Sequence, residues 1–174
     1  SFAMFGGTGA AGAYQSIGFG ATADGVYLPV FAGGDGSLHL TEAYGVRSAF
    51  NHNWNPYWST SLWGSYSQVR YGGSNIDLTS AKGQWCASYN AGKTALAGSG
   101  YNCNPDFNVS QLGLLTRWTP VKNLTFSAEV GAFFLDQKFT GAATLAATAP
   151  KPTTVYEFKD QSTVYLNVRA QRNF

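Results

Sequence analysis

Charged residues are scarce in this chain of 174 residues. Asp, Glu, Lys and Arg together make up 11% of the sequence, against roughly 25% in an ordinary soluble domain. Eleven basic residues nearly balance nine acidic ones, so the chain lacks the basic surface that nucleic-acid binding needs. Aromatic residues nevertheless reach 16%, which is not typical of a disordered chain. The composition therefore excludes disorder and makes a nucleic-acid partner unexpected.

Long apolar runs and helical periodicity are also missing. No stretch approaches the roughly 18 consecutive apolar residues of a transmembrane helix. Instead, apolar side chains alternate with polar or small ones, which predicts strands whose two faces meet different environments. In the last segment, for example, Val164 and Leu166 alternate with Tyr165 and Asn167. The alternating segments are 38–54, 57–71, 108–118, 124–136 and 163–174, with a sixth candidate from Tyr14 to Tyr27.

The predicted strands are long, and their connections alternate in length. At about 3.3 Å per residue, strands of about 12 to 16 residues span roughly 40–50 Å, whereas soluble strands usually stop at about 5 or 6 residues. Tight turns are predicted at 53–56 and 118–123, and long loops at 72–105 and 140–160. This alternation is typical of outer-membrane barrels. The sequence therefore predicts an all-β fold, a transmembrane antiparallel β-barrel, to which this chain contributes five or six strands.

Aromatic residues gather beside the predicted short turns and at the end of the chain. They are Trp54, Tyr57, Trp58, Trp118 and Phe174. In a barrel they would form an aromatic girdle at the periplasmic membrane interface. The alternative is a soluble β-sandwich with tryptophans in its core, but the outer face of a sandwich usually carries charged residues. Here the second face carries Ser, Thr and Asn, which favours the barrel.

Four charged residues fall on the polar side of the predicted strands: Arg47, Arg117, Glu129 and Arg169. A charge on the lipid face costs about 2–4 kcal/mol at mid-depth, so these side chains should point inward. We therefore predict that they line a wet pore, where fixed charge sets ion preference. The alternative is that some of them pair inside a plugged, non-conducting barrel.

The two cysteines, Cys86 and Cys103, lie 17 positions apart in the first long loop. A metal site would need more ligands than this loop offers, so a disulfide is favoured over free thiols and over metal binding. His39 and His52 are about one strand length apart, too far for joint acid–base catalysis. Gly7–Gly12 matches a dinucleotide-binding fingerprint, but the glycine-rich sequence after it does not predict the helix that this site requires. We expect no catalytic site, no metal and no cofactor.

Four stretches carry a resemblance to a known family: Phe50–Trp58, Asn104–Asp106 after the loop cysteine, Thr116–Leu124 and Val168–Phe174. They are similar to the C-terminal part of the alphaproteobacterial general porins, the family of the rhizobial and Brucella-type outer-membrane porins. The resemblance implies a non-enzymatic, passive diffusion channel for ions and small hydrophilic solutes. It also implies a homotrimer of 16-stranded barrels in the bacterial outer membrane, in contact with its lipid and lipopolysaccharide. The terminal Phe174 resembles the signal read by the barrel assembly machinery.

The chain offers five or six strands where the family has sixteen. We therefore expect residues 1–174 to be the C-terminal part of a single barrel domain. Residues 1–37 are predicted to be an external loop leading into the barrel, and residues 38–174 its strands and loops. The constriction loop that the family places inside the pore would lie outside this chain. The alternative is a small, closed, eight-stranded barrel that acts as an adhesin or structural anchor.

Overall fold

The structure, a computed structural model, describes residues 3–5, 19–21, 24–91, 93–147 and 152–174. In chain order, its elements are β1 (Ala3–Phe5), β2 (Phe19–Ala21), β3 (Gly25–Tyr27), β4 (Leu38–Leu40), β5 (Glu42–Asn55), β6 (Trp58–Arg70), α1 (Ala81–Asn90), β7 (Lys93–Ala95), β8 (Phe107–Val121), β9 (Leu124–Gln137), β10 (Ala142–Leu145), β11 (Thr154–Glu157) and β12 (Gln161–Arg172). Over these ranges, no helix has the length and apolar character needed to cross a membrane. The predicted all-β class is confirmed.

Contacts divide the chain into two units, which we call the sheet unit and the loop unit. The sheet unit comprises Tyr44–Gln68, Phe107–Asp136 and Asp160–Phe174. It holds a five-stranded sheet of order β12-β9-β8-β6-β5, whose strands have 12 to 15 residues. The long strands are therefore confirmed. Within the described ranges this sheet stays open and does not close into the eight-stranded barrel of the alternative.

Two tight turns join neighbouring long strands. Pro56 and Tyr57 separate β5 from β6, and Lys122 and Asn123 separate β8 from β9. Asn123 has a φ of 68°, a left-handed conformation that Asn tolerates better than most residues. Both turns confirm the prediction, but the second is shorter than expected. The backbone N–H of Thr119 donates to the Tyr57 carbonyl at 2.8 Å, so β8 continues to Val121 through the Thr-Pro pair that suggested a turn.

The predicted strand over 38–54 is interrupted at Thr41. Its backbone N–H donates to the Asp24 carbonyl at 2.9 Å, and the chain divides there into β4 and β5. β4 pairs with β3 in a small antiparallel hairpin. The candidate strand from Tyr14 to Tyr27 is also wrong as a single element, because its described part forms β2 and β3. β2 pairs with β1 and β3 pairs with β4, so the two pieces belong to different sheets.

The loop unit comprises Ser1–Ala43, Val69–Asp106 and Gln137–Lys159. Besides the two-stranded sheets β1-β2 and β3-β4, it contains the three-stranded sheet β11-β10-β7 and the helix α1. The stretches predicted as long loops, 72–105 and 140–160, therefore hold α1 and β7 in the first case and β10 and β11 in the second. Both stretches are the long connections between neighbouring strands of the five-stranded sheet that the sequence predicts. The regular structure inside them was not predicted.

Local contacts rather than apolar periodicity explain α1. Ser80 caps the first turn by accepting the Gly83 N–H on its hydroxyl at 3.1 Å, which satisfies one donor that a helix start leaves free. Gln84 then ties the helix to the preceding loop by donating to the Leu78 carbonyl at 2.9 Å. Gly83 faces the Asp77 backbone so closely that a Cβ there would overlap it. Glycine has a low helix propensity, so the sequence pattern did not predict α1.

Candidate functional site: the polar face of the five-stranded sheet

Strand register decides which side chains of the sheet unit share a face. In the β12–β9 pair, Leu166 lies opposite Val130 and Tyr165 lies opposite Gly131, so even numbers meet even numbers and odd numbers meet odd numbers. The same parity is kept in contacts across the other strands: Trp54 to Thr60, Thr60 to Thr116, and Trp118 to Phe126. Within these five strands, we call the side of the even-numbered residues the apolar face and the side of the odd-numbered residues the polar face.

Large apolar side chains stand exposed along the apolar face. In β12, Val164, Leu166 and Val168 are 72%, 72% and 71% exposed. Others are Val46 and Phe50 in β5, Leu62 in β6, Leu112 and Leu114 in β8, and Phe126, Val130 and Phe134 in β9. Soluble monomers rarely expose contiguous apolar patches larger than a few hundred Å². A face of this composition across five strands therefore requires an apolar environment.

The predicted girdle residues cluster at one end of the sheet unit, beside the tight turns. Trp58 and Trp118 lie on neighbouring strands with ring centroids 6.3 Å apart, and Trp118 stacks on Phe126 at 5.7 Å. The Trp54 indole N–H donates to the Thr60 hydroxyl at 2.9 Å. Sequence reasoning did not include Phe126, although its parity and its place near the turn were visible in the sequence.

The remaining girdle residues lie at the same end of the strands. Tyr57 occupies the turn between β5 and β6, and the terminal Phe174 packs under the Arg172 guanidinium at 5.5 Å. The register therefore brings the strand ends that carry these aromatic residues together. Their place at a membrane interface stays a prediction.

On the polar face, two aromatic rings cover glycines of the next strand. The Trp63 indole lies over Gly113, where a Cβ would overlap the ring. The Tyr165 ring lies over Gly131 in the same way. Covering a strand glycine with a cross-strand aromatic ring is a known way of restoring packing that glycine lacks. Both pairs were missed from the sequence. The feature that could have indicated them is an odd-numbered glycine in each of two neighbouring alternating segments.

Hydrogen bonds link side chains across the polar face. The Arg117 guanidinium donates to the Ser61 hydroxyl at 3.4 Å, and Ser61 donates to the Asn51 amide oxygen at 2.7 Å. On the same face, near the β12 edge of the sheet, the Tyr165 hydroxyl donates to the Glu129 carboxylate at 3.2 Å. The face is therefore organised by neutral hydroxyl and amide groups around a few charges.

The structure places all four predicted pore-lining residues on the polar face. Arg47 lies in β5, Arg117 in β8, Glu129 in β9 and Arg169 in β12. The three arginines are exposed and Glu129 is half-buried. In the part of the chain that the structure describes, none of these arginines forms an ion pair with a carboxylate. The alternative of pairing inside a plugged barrel is not tested by these five strands, and the pore-lining role stays a prediction.

In the loop unit, a disulfide joins Cys86 of α1 to Cys103, as the sequence predicts. Both cysteines are buried. Near the same helix, the Lys82 ammonium lies 2.7 Å from the Asp106 carboxylate, and the other oxygen of that carboxylate accepts the Tyr71 N–H at 2.8 Å. The disulfide and the ion pair fasten the helix at two points. Sequence reasoning missed the ion pair, because 24 residues separate its partners.

An aromatic cluster packs beside α1. Trp85 stacks on Tyr89 at 4.8 Å, and Tyr89 and Phe158 both pack on Phe139 at 5.2 Å. The Lys93 ammonium lies over the Tyr89 ring, 2.8 Å from its centroid. Burial raises the pKa of the Tyr89 phenol and lowers that of the Lys93 amine. These half-buried rings form a packed cluster within the loop unit.

The two histidines belong to different units. In the β3–β4 hairpin, His39 Nε2 lies 2.9 Å from the Asp35 carboxylate. Hydrogen bonds, first from the Ser37 hydroxyl and then from His39, hold the pKa of Asp35 well below its usual range. His52 packs edge-on against Trp54 at 4.4 Å. Among the residues that the structure describes, no three His, Cys, Asp or Glu side chains form a group that could hold a metal ion. The Gly7–Gly12 motif lies outside the described residues.

A comparison with protein-family models matches the chain to the porin subfamily over residues 5–167. Searches of curated proteins and of solved structures gave no match. The family match spans almost the whole chain, and it agrees with the two-faced antiparallel sheet. The chain therefore belongs to the porin subfamily, whose members are channel proteins of the outer membrane.

Proposed function

We propose that this chain forms part of a passive diffusion channel for ions and small hydrophilic solutes across the bacterial outer membrane. The observation that carries the proposal is the sheet with one apolar and one polar face. Hydrocarbon solvates the first, with Leu166 and Phe126 among its side chains, and water solvates the second. Such a wall separates lipid from an aqueous path without any chemical step, so neither catalysis nor a cofactor is needed.

The open edges of the sheet support a larger barrel. β5 and β12 each pair on one side only within the described residues, and unpaired backbone groups are costly in hydrocarbon. We infer that further strands of a longer protein pair with these edges and close a multi-pass barrel of about 16 strands, the number that the family resemblance implies. The same resemblance supports a homotrimer.

The apolar face and the aromatic strand ends suggest the surroundings of the wall. Lipid and lipopolysaccharide are the expected partners of the exposed Val, Leu and Phe side chains. Trp58 and Trp118 suit the membrane interface, because an indole combines a large apolar body with one N–H donor. Phe174 follows the last strand and is the expected contact for the barrel assembly machinery. We propose no nucleic-acid partner, in keeping with the even balance of charge.

Conductance of the full-length protein in planar lipid bilayers tests the proposal. We expect stepwise increases of current in potassium chloride, each step marking the insertion of one open channel. Extraction with carbonate should leave the protein in the membrane, because its apolar face is held by lipid. Absence of current steps from protein that is demonstrably membrane-inserted would overturn the channel and favour a structural or adhesive role.

A further inference from the structure

Two arginines of the polar face lie on either side of one serine. Arg169 lies directly opposite Ser127 in the β12–β9 pair. On the other side of β9, the Thr119 and Thr125 hydroxyls are 3.2 Å apart. In antiparallel strands, two residues back along β8 corresponds to two residues forward along β9, so this register places Arg117 opposite Ser127 as well. The row across β8, β9 and β12 is therefore arginine, serine, arginine.

The spacing of this row lets both guanidinium groups approach one ligand. Neighbouring strands lie about 4.8 Å apart, so the backbones of Arg117 and Arg169 are separated by about 10 Å, with Ser127 between them. Both side chains leave the same face and are exposed. Guanidinium groups bind oxyanions through paired N–H donors in a planar fork, and the Ser127 hydroxyl adds a further donor at the centre.

The charges around this row favour an anion. Arg47, Arg117 and Arg169 give the polar face three positive charges, and Glu129 gives one negative charge, which leaves +2. Glu129 is two positions from Ser127 and already accepts the Tyr165 hydroxyl at 3.2 Å. Over the described ranges, neither Arg117 nor Arg169 is neutralised by a carboxylate. Among the residues that the structure describes, the Arg117 guanidinium donates a single long hydrogen bond, 3.4 Å, to the Ser61 hydroxyl.

We propose that Arg117, Ser127 and Arg169 form a binding subsite for tetrahedral oxyanions, such as the phosphate groups of small hydrophilic solutes. The inference rests on the proposed channel, because the subsite would lie on its inner wall. It adds a solute class to the proposed function, because a phosphate-bearing solute binds transiently at this row whereas chloride permeates without binding there. Such a subsite also makes the channel prefer anions to cations.

The test uses the full-length protein in planar bilayers in potassium chloride, with inorganic phosphate as the probe. We expect phosphate to reduce the chloride current in a saturable way. Arg117→Gln and Arg169→Gln should each raise the half-blocking phosphate concentration roughly tenfold, because each removes a charge-assisted hydrogen-bonding partner. Arg117→Lys keeps the charge but not the fork, and it should restore only part of the block. Lys122→Gln, which removes the same charge from the exposed β8–β9 turn, is the matched control and should leave the block unchanged.

Each outcome separates the subsite from the channel. If no channels form, the proposed function fails first. If channels form but phosphate does not block the wild-type protein, only the subsite is wrong. If Arg117→Gln, Arg169→Gln and Lys122→Gln weaken the block equally, a diffuse surface charge attracts phosphate and the subsite is again wrong. Zero-current potentials in a salt gradient provide the second readout, and they should shift towards cation preference in the two Arg→Gln variants alone.

Discussion

The Tyr165 ring covers Gly131 across the β12–β9 pair, and a Cβ built on Gly131 would come 2.6 Å from the ring carbons. The same ring carries the hydroxyl that donates to Glu129. One residue without a side chain therefore fixes the position of an aromatic ring, and that ring holds the carboxylate of the polar face. Gly131 is important because of the space it leaves, not because of a conformation that only glycine can adopt.

Replacing Gly131 tests this packing. Gly131→Ala should force the Tyr165 ring to move and lower the free energy of unfolding by about 1–3 kcal/mol, the usual cost of overpacking. Gly64→Ala is the matched control, because a Cβ there would meet the Gln111 carbonyl oxygen at 3.4 Å and Leu112 at 3.7 Å, which are ordinary contacts. Urea unfolding of the full-length protein in detergent micelles measures the difference. Equal midpoints for the two variants would contradict the close packing of the ring.

The alternating segments predicted the five long strands because the two faces of each strand meet different environments. Successive side chains of a strand point to opposite faces, so this difference gives a period of two residues in the sequence. The same logic placed Arg117 and Arg169 on one face. Strand pairing was not visible in the same way, because the alignment of both arginines with Ser127 depends on register. The tight turn at Asn123 joins β8 to β9 and sets the position of Arg117 alone, whereas a long connection separates β9 from β12 and Arg169. The interruption at Thr41 could not be predicted either. The alternation of side chains in the sequence runs past Thr41 without a break, and the interruption depends on the backbone hydrogen bond to Asp24.

The structure of the loop unit could not be predicted from the sequence, for a different reason. Its structure rests on contacts between residues distant in the chain, such as Lys82 with Asp106 and Phe139 with Tyr89. No periodic pattern records such contacts. The helix α1 contains Gly83 and depends on its cap and on the disulfide, so local propensity alone gave little sign of it.

The buried ion pair of the loop unit should be sensitive to the loss of one partner. The Lys82 and Asp106 side chains are 14% and 10% exposed. Lys82→Met would leave the Asp106 carboxylate buried without its counter-charge, and we expect a loss of about 3–5 kcal/mol in the stability of the loop unit. Proteolysis between residues 71 and 106, measured against urea concentration, should report this loss.

A second lysine supplies the control for that change. Lys159 pairs with Glu157 at 2.8 Å, but their side chains are 69% and 65% exposed, and exposed pairs contribute about 0–1 kcal/mol. Lys159→Met should therefore leave proteolysis almost unchanged. If the Lys82 and Lys159 variants were cleaved at the same rate, the buried pair would not hold the loop unit together.

The disulfide should stabilise the loop unit and leave the sheet unit intact. The bond between Cys86 and Cys103 closes a loop of 17 positions, for which unfolded-state entropy predicts about 3 kcal/mol. A Cys86→Ser, Cys103→Ser double variant should be cut within residues 71–106 at lower urea concentration than the wild-type protein. Its single-channel current steps should persist, since neither cysteine lies on the five-stranded sheet. Wild-type protein treated with a reductant under unfolding conditions provides the comparison without mutation, and unchanged cleavage in both samples would show that the bond contributes nothing measurable.

Neighbouring residues of β12 offer the sharpest test of the two faces. Asn167 lies on the polar face and Leu166 on the apolar face, and both are exposed in the sheet unit. In a membrane, a charged, membrane-impermeant thiol reagent should modify Asn167→Cys rapidly and Leu166→Cys at least tenfold more slowly, because lipid excludes the reagent and suppresses the thiolate that reacts. In urea-unfolded protein the two rates should become similar, which controls for intrinsic reactivity. Equal rates in the membrane would mean that both faces meet water, and faster labelling of Leu166→Cys would mean that the assignment of lipid to the apolar face is inverted.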